Sequence, residues 1–300
     1  MKQFRYNLDK SSKKFVCPSC NKRTFVKYID IKTNSYLGDA FGRCDRESNC
    51  NYHSTPKGEA SNSFEIVNSP KPLPSYHSPE LIEKSFLSER PNYFIDFLHT
   101  MFTAVEVKTA VYDYLISTSI HWEGATVFWQ IDQQERLHAG KVMLFNKATG
   151  KRAKDSNGKS IISWVHSILK YKKQLNDFNL EQCLFGLHLI TPDNSKPMAI
   201  VEGEKTAVLC SVFKPQYTWL ATGSKSGLKC EMLLPIKKYK IVAFPDKNEF
   251  SDWNKKATEL NKVGFQIVVS NYLETIDCDV GTDFADILIQ NSIVNNNQIQ

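Results

Sequence analysis

Between Pro197 and Asn248 the chain reads PMAIVEGEKTAVL, then YTWLATGSKSGL, then YKIVAFPDKN. An apolar run ends in Glu202-Gly203-Glu204, a helical pattern follows, and two further apolar runs end in Thr222-Gly223 and Pro245-Asp246. Strand, helix, strand, strand, helix is an α/β rhythm with a parallel core. Acidic groups therefore fall just past the C-terminal ends of two short buried strands. In an open parallel sheet that edge is where ligands and metal ions bind. Glu202 also has a plainer reading, since an acidic residue beside a helix N-terminus is favoured by the helix dipole.

Three hundred residues suggest about two domains, with three as the upper end. The hydrophobic fraction of 41% and charged fraction of 23% are those of a globular protein, and no apolar run approaches a membrane span. The basic N-terminus has no apolar segment behind it, so no signal peptide is expected. A cytoplasmic protein with no membrane partner is the expectation. The net charge of +6 is unevenly placed: residues 1–58 carry +7 and the remainder −1. Such asymmetry suits an acidic partner, most simply nucleic acid, or else a solvated basic segment.

Four of the eight cysteines cluster as Cys17-x2-Cys20, 23 residues, then Cys44-x5-Cys50. Paired cysteines on two turns joined by strand-forming residues (Phe25, Val26, Tyr28, Ile29) are what a tetrahedral zinc site needs. So small a unit buries too little apolar surface to fold unaided, and structural Zn²⁺ would hold it together. His53, three residues after Cys50, competes for the fourth position. Arg43 and Arg46 lie near Phe25, Tyr28 and Tyr36, a mixture that suits single-stranded nucleic acid or simply a small ribbon core. Cys183, Cys210, Cys230 and Cys278 read as small buried hydrophobes.

Pro56, Pro70, Pro72 and Pro74 break residues 55–78 into a linker. Ser78-Pro79-Glu80 reads as a helix start with Ser78 as N-cap, and helical spacing continues to residue 115. Strand patterns follow in ATVFWQID and LHAGKVMLFN, with Gly150 at the tip of a basic hairpin loop carrying Lys147, Lys151, Arg152 and Lys154. Residues 178–190 read as a further strand ending at Phe185-Gly186-Leu187. His166 and His188 are expected to be structural. Ser224-Lys225-Ser226, in a loop bounded by glycines, offers backbone N–H groups to a phosphate. Phe250 to Val263 reads as an amphipathic helix, Phe265 to Asn271 as a strand, and 291–300 as a frayed tail.

The motifs around Glu202 and Asp246 resemble the Toprim domain of bacterial primases, topoisomerases and some nucleases. Glu202-Gly203 matches its Glu-Gly, and Asp246-Lys247-Asn248 its Asp-x-Asp, with Asn248 in place of the second aspartate. Asp283-Phe284-Ala285-Asp286 resembles the Gly-x-Asp-Pro-x-Asp segment that closes primase Toprim domains, with Phe284 replacing the proline. The order of zinc ribbon, basic β-rich region and Toprim resembles bacterial primase throughout. The chain also resembles Toprim-like proteins with an N-terminal zinc finger that accompany mobile elements of Bacteroidetes, in which GRCDRE, GKR, VEGEKTA, WLATG and FPD recur.

The resemblance implies a multidomain α+β and α/β fold. Its parts are a zinc β-ribbon at 1–54, a linker at 55–78, a helical and β-rich basic domain at 79–192, a Toprim-like α/β domain with a parallel sheet at 193–290, and a tail. It implies Glu202 as general acid/base and Asp246, Asp283 and Asp286 as ligands to Mg²⁺ or Mn²⁺. Lys141, Lys151, Arg152 and Lys154 would lie along single-stranded DNA, and Lys205 would meet a phosphate. The activity implied is primase-like nucleotidyl transfer on single-stranded DNA, using nucleotides, in replication of a mobile element. A zinc-containing DNA-binding protein with a decayed site and a Toprim nuclease are the alternatives. No Gly-x4-Gly-Lys-Ser/Thr loop is present, so any helicase would be a separate partner.

Overall fold

The computed structural model describes residues 5–11, 13–46, 50, 52–56, 73–86 and 88–297. The chain divides into two units, Met1–Pro72 and Leu73–Gln300. Most of the expected linker, residues 57–72, lies outside the described residues.

The first unit is a small antiparallel sheet. Its strands are β1 (Tyr6–Leu8), β2 (Phe25–Asp30), β3 (Ser35–Tyr36), β4 (Gly42–Cys44) and β5 (His53–Ser54), in the order β1-β2-β4-β5 with β3 also paired to β2. Cys17, Phe25 and Cys44 are fully buried, and Phe15 and Tyr52 pack on them. Gly42 is required at its place in β4, because a Cβ there would collide with the Val26 carbonyl and the Phe25 ring.

The second unit opens with α1 (Glu80–Glu83), α2 (Tyr93–His99) and α3 (Ala104–Asp113). Ser78 is not the cap of α1. Pro79 takes that position in helical geometry, and no side chain caps it. Asn92 caps α2 through its side chain, and Thr103 with Glu106 forms a capping box on α3. An antiparallel sheet follows: β6 (Ser117–Thr118), β7 (Thr126–Ile131), β8 (Leu137–Met143) and β9 (Ile162–Trp164). β7 and β8 are buried along their whole length, one face on Phe94, Phe145 and Phe185 and the other on Leu81, Trp122 and Val165. Gly150 is not an open tip, since a Cβ there would collide with the Phe97 ring. The basic loop is thus packed down at its turn.

After α4 (Val165–Tyr171), residues 178–190 do not form the expected strand. They contribute one bridge, Phe185 to Ala221, and a 3-10 turn at Leu187–Leu189. Gly186 turns with φ 82°, where a Cβ would press on the Trp219 carbonyl at 2.9 Å.

The rest is β10 (Met198–Val201), α5 (Glu204–Phe213), β11 (Thr218–Ala221), α6 (Cys230–Leu233), β12 (Lys240–Ala243), α7 (Phe250–Lys262), β13 (Gln266–Val269), α8 (Tyr272–Thr275) and α9 (Phe284–Asn297). The four strands form a parallel sheet in the order β11-β10-β12-β13. Ala199 and Val201 join the core shared with α5, while Met198 and Ile200 join Leu233, Trp253 and Leu260 on the other face. Burial on both faces is why these strands are apolar without alternation. Phe284 stacks on Phe244 at 4.6 Å and 20°, and Phe244 packs on Trp219 at 5.3 Å. Residues 291–297 continue α9 rather than fraying from residue 291.

Candidate metal centre and acidic rim

In the first unit the Sγ atoms of Cys17, Cys20, Cys44 and Cys50 all lie within 4.8 Å of one another. Cys17 and Cys20 flank a turn in which the Asn21 N–H donates to the Cys17 carbonyl at 3.0 Å. Cys44 ends β4 and carries a Thr24 hydroxyl at 3.3 Å. The N–H of Lys22 brings the Cys20 thiol down to about 6, with the Arg46 side chain contributing. Burial pushes Cys17 up to about 11. Four soft thiolate donors at this spacing suit tetrahedral Zn²⁺, which deprotonates its ligands outright. His53 is not one of the four: its Nε2 meets the Tyr28 hydroxyl at 3.0 Å. Arg46 is thus engaged at the thiolates, and Arg43 sits half-buried on β4.

In the second unit the chain leaves β10 to build β11 on one side, then returns to build β12 on the other. At such a switch point the crevice opens at the carboxyl ends of the central strands. Glu202 directly follows β10, and Asp246 comes three residues after β12. Burial pushes the Glu202 carboxyl up; Arg152 opposes this and Glu249 adds to it. A Lys225 N–H donates to the same carboxylate. Burial, then the charges of Asp283 and Glu202, raise Asp246 to about 8, with Arg152 again opposing. Glu202, Asp246, Asp283, Asp286 and Arg152 therefore share one electrostatic neighbourhood.

Within it, Asp283 and Asp286 already have partners. Asp283 stands before α9 as its cap: its Oδ1 accepts from the Asp286 N–H at 3.0 Å, and the Asp283 N–H donates to Asp286 Oδ2 at 3.2 Å. The Thr206 hydroxyl donates to Asp283 Oδ2 at 2.7 Å, and Lys205 approaches Asp286 at 3.6 Å. Among the described residues, only the four cysteines form a group of ligand atoms mutually within 4.8 Å, so the acidic rim is more open. Glu202 and Asp246 still fit a hydrated Mg²⁺, which needs only one or two carboxylates. Asn248 is exposed, in a left-handed conformation with φ 74°, and its N–H donates to Glu274 at 2.8 Å. Asparagine tolerates that conformation better than most residues.

The cationic residues divide. Lys151, Arg152 and Lys154 are exposed, and Arg152 faces the rim electrostatically. Lys141 is not on the surface. It is 9% exposed, donating to Glu204 Oε2 at 3.0 Å and to the Gly223 carbonyl at 2.9 Å. The burial of all of β8 places it inside, where it serves as an internal counter-ion. Lys225 pairs with Glu249 at 3.1 Å. His188 donates to or accepts from backbone at Asp113, and His166 stacks on Phe178, so neither enters the rim. Glu249, Gln130 and the buried Glu204 are additions that sequence patterns did not single out. Only Glu249 had a legible signal, lying next to the neutral Asn248.

The Asp246 shift fixes a pH dependence. Below about 4 both folded and unfolded carboxyls are protonated; between there and about 8 only the folded one holds its proton, so raising the pH favours unfolding. The melting temperature in chelator should fall from pH 5 to pH 9, and Asp246→Asn should flatten that slope. An unchanged slope in the variant would place the titration elsewhere.

Comparison with known proteins gives the affiliation. The family described as a domain of unknown function, DUF6371, matches residues 92–247, more than half of the chain. The chain belongs to the DUF6371 family. A zinc beta-ribbon finger family matches residues 4–65 of this DUF6371 member. No curated protein matches it in sequence. Its structural neighbours are DNA primases. The primase fragment of the bacteriophage T7 primase-helicase protein is 14% identical, with TM-score 0.40, covering 94% of this chain and 97% of that one. The DnaG catalytic core is 16% identical, TM-score 0.35, covering 71% and 65%. The Aquifex aeolicus primase, with zinc-binding and RNA polymerase domains, is 12% identical, TM-score 0.36, covering 96% and 80%. No helix of the described residues is long and apolar enough to cross a membrane.

Proposed function

We propose that this protein is a primase-like nucleotidyltransferase that acts on single-stranded DNA at a Toprim-like site. The observation that carries this reading is the convergence of Glu202, Asp246 and Arg152 at the switch point of the parallel sheet. Glu202 and Asp246 would hold Mg²⁺ or Mn²⁺, which when bound supplies charge neutralisation at a phosphate. Glu202, held partly protonated by burial and by Glu249, is suited to take or give a proton at its carboxylate. Arg152 would orient an anionic phosphate beside the two carboxyls. Lys151 and Lys154, exposed on the same loop, would bind the DNA backbone. The zinc ribbon would contribute template contacts through Arg43 and the aromatic residues Tyr28 and Tyr36. A helicase, where one is needed, would be a separate protein.

The test is template-dependent oligonucleotide synthesis with Mg²⁺ or Mn²⁺ by the full chain. Loss of a general acid/base typically costs ~10²–10⁴-fold in rate, and Glu202→Gln is expected to lose at least that much. Retained synthesis in the variant would overturn the assignment. A second reading, a DNA-binding protein with a decayed site, draws on the exposed Asn248 and on the capping work of Asp283 and Asp286. It expects salt-sensitive DNA binding, unchanged in Glu202→Gln, with no metal-dependent turnover by the unaltered chain.

A further inference from the structure

Immediately beside the rim lies a buried polar cluster that the proposed chemistry does not use. Gln130 on β7 is 1% exposed, and neither its Oε1 nor its Nε2 has a hydrogen-bond partner among the described residues. Glu204, at the start of α5, is 2% exposed; its Oε2 takes the Lys141 ammonium, while its Oε1 is unpartnered. Buried polar atoms are paired in the great majority of cases, and leaving one unpaired costs as much as a lost hydrogen bond or more. Three such atoms on two neighbouring side chains therefore ask for a common partner.

The place for it is marked by Gly223. Its φ is +75°, and a Cβ built on it would stand 3.1 Å from Glu204 Oε1, 3.8 Å from Gln130 Nε2 and 4.0 Å from Lys141 Nζ. A methyl-sized space bounded by a carboxylate oxygen, an amide nitrogen and an ammonium is matched to a group that both donates and accepts, which is a hydroxyl. Gly223 is itself only half-buried and is followed by the exposed Ser224, Lys225 and Ser226, so the cradle lies one residue beneath the surface. It also adjoins the rim, since the Gly223 N–H donates to the Glu202 carbonyl at 2.8 Å and the Lys141 charge is felt at the Glu202 carboxylate.

We infer that Gln130, Glu204 and Gly223 form a hydroxyl-reading subsite for the sugar of a nucleotide whose phosphates lie at Glu202, Asp246 and Arg152. The inference rests on the nucleotide-binding reading above. Gln130 and Glu204 are specificity-determining residues here: they touch a sugar hydroxyl and take no part in proton transfer. A site built to hydrogen-bond a hydroxyl discriminates strongly against the analogue lacking it, because its own buried groups are then left unpaired.

The experiment is equilibrium binding of ATP, 2′-deoxy-ATP and 3′-deoxy-ATP to the full chain by calorimetry with Mg²⁺, repeated on Gln130→Leu and Gly223→Ala. The unaltered protein is expected to lose on the order of tenfold or more in affinity with one of the two deoxy analogues. Which analogue suffers identifies the hydroxyl. Gln130→Leu, which removes the unpaired amide at similar volume, is expected to bind all three nucleotides alike. Gly223→Ala, which puts a methyl group into the cradle, should do the same, and the melting temperature of each variant reports that it is folded. If all three nucleotides bind equally to the unaltered protein, the cradle holds resident water only and the inference fails, while the nucleotide-binding reading stands. If a preference exists but both folded variants keep it, the subsite is elsewhere and the inference fails. If none of the three binds, the nucleotide-binding reading fails, and this inference with it.

Discussion

Stripping zinc from the full chain with a strong chelator is expected to unfold the β1–β5 sheet completely. The apolar core of that unit has three fully buried side chains, and two of them are the ligands Cys17 and Cys44. Its strands run from two to six residues. A core of that size cannot offset the conformational entropy of ordering some fifty residues. Structural zinc in small fingers supplies ~10–16 kcal/mol of apparent binding energy, which in such a unit is folding energy. Amide exchange across Phe25–Asp30 would show the result directly. Protection there should vanish in chelator and return with added Zn²⁺, while the amides of β7, β8 and β10 stay protected. Cys17→Ser should behave like the chelated protein even in excess zinc. Protection of β2 that survives metal removal would mean that the aromatic packing of Phe15, Phe25 and Tyr52 suffices, and that the metal is an accessory.

The second large effect concerns the Lys141–Glu204 pair. Their side chains are 11% and 2% exposed, so each charge relies on the other in place of water. Removing one partner of a buried pair typically costs ~3–5 kcal/mol, because the remaining charge is stranded. Lys141→Met is therefore expected to lower the urea midpoint strongly, and Glu204→Met to do so by a similar amount. Replacing both together by apolar residues strands no charge, and the double variant should recover much of the loss. Additive losses in the double variant would instead indicate that the ammonium matters mainly for its bond to the Gly223 carbonyl.

These two features show where sequence reasoning reaches and where it stops. The zinc ligands were legible because thiols recur at a spacing that little else explains. The parallel sheet was legible because strands covered on both faces lose their polar alternation, as MAIV and TWLA do, and α5 runs over the residues its pattern marks, Glu204–Phe213. Lys141 was misread because a lysine between alternating residues normally marks a solvent face. Its carboxylate partner lies 63 positions onward, and no local pattern encodes that pairing. Asp283 and Asp286 carried a signal with two meanings. An acidic residue at the cap and another at the third helical position is the spacing of a helix start as well as of a ligand pair, and the described hydrogen bonds belong to the former. Gln130 was invisible for a further reason, since an amide on a buried strand attracts notice only once its lack of partners is known.

Phe284 stands where the resembling primase pattern has proline, and its ring lies flat on Phe244. A proline stiffens a loop by covalent geometry, which is insensitive to heat or to neighbouring substitutions. A stacked ring stiffens it only while the layer beneath stays solid. The loop that presents Asp283 is thus tethered to the interior through Phe244 and Trp219. Shaving Phe244 to leucine, far from any ionisable group, would be felt first as slack in the loop and only later as unfolding. In this chain, rim geometry and interior solidity are a single heritable trait.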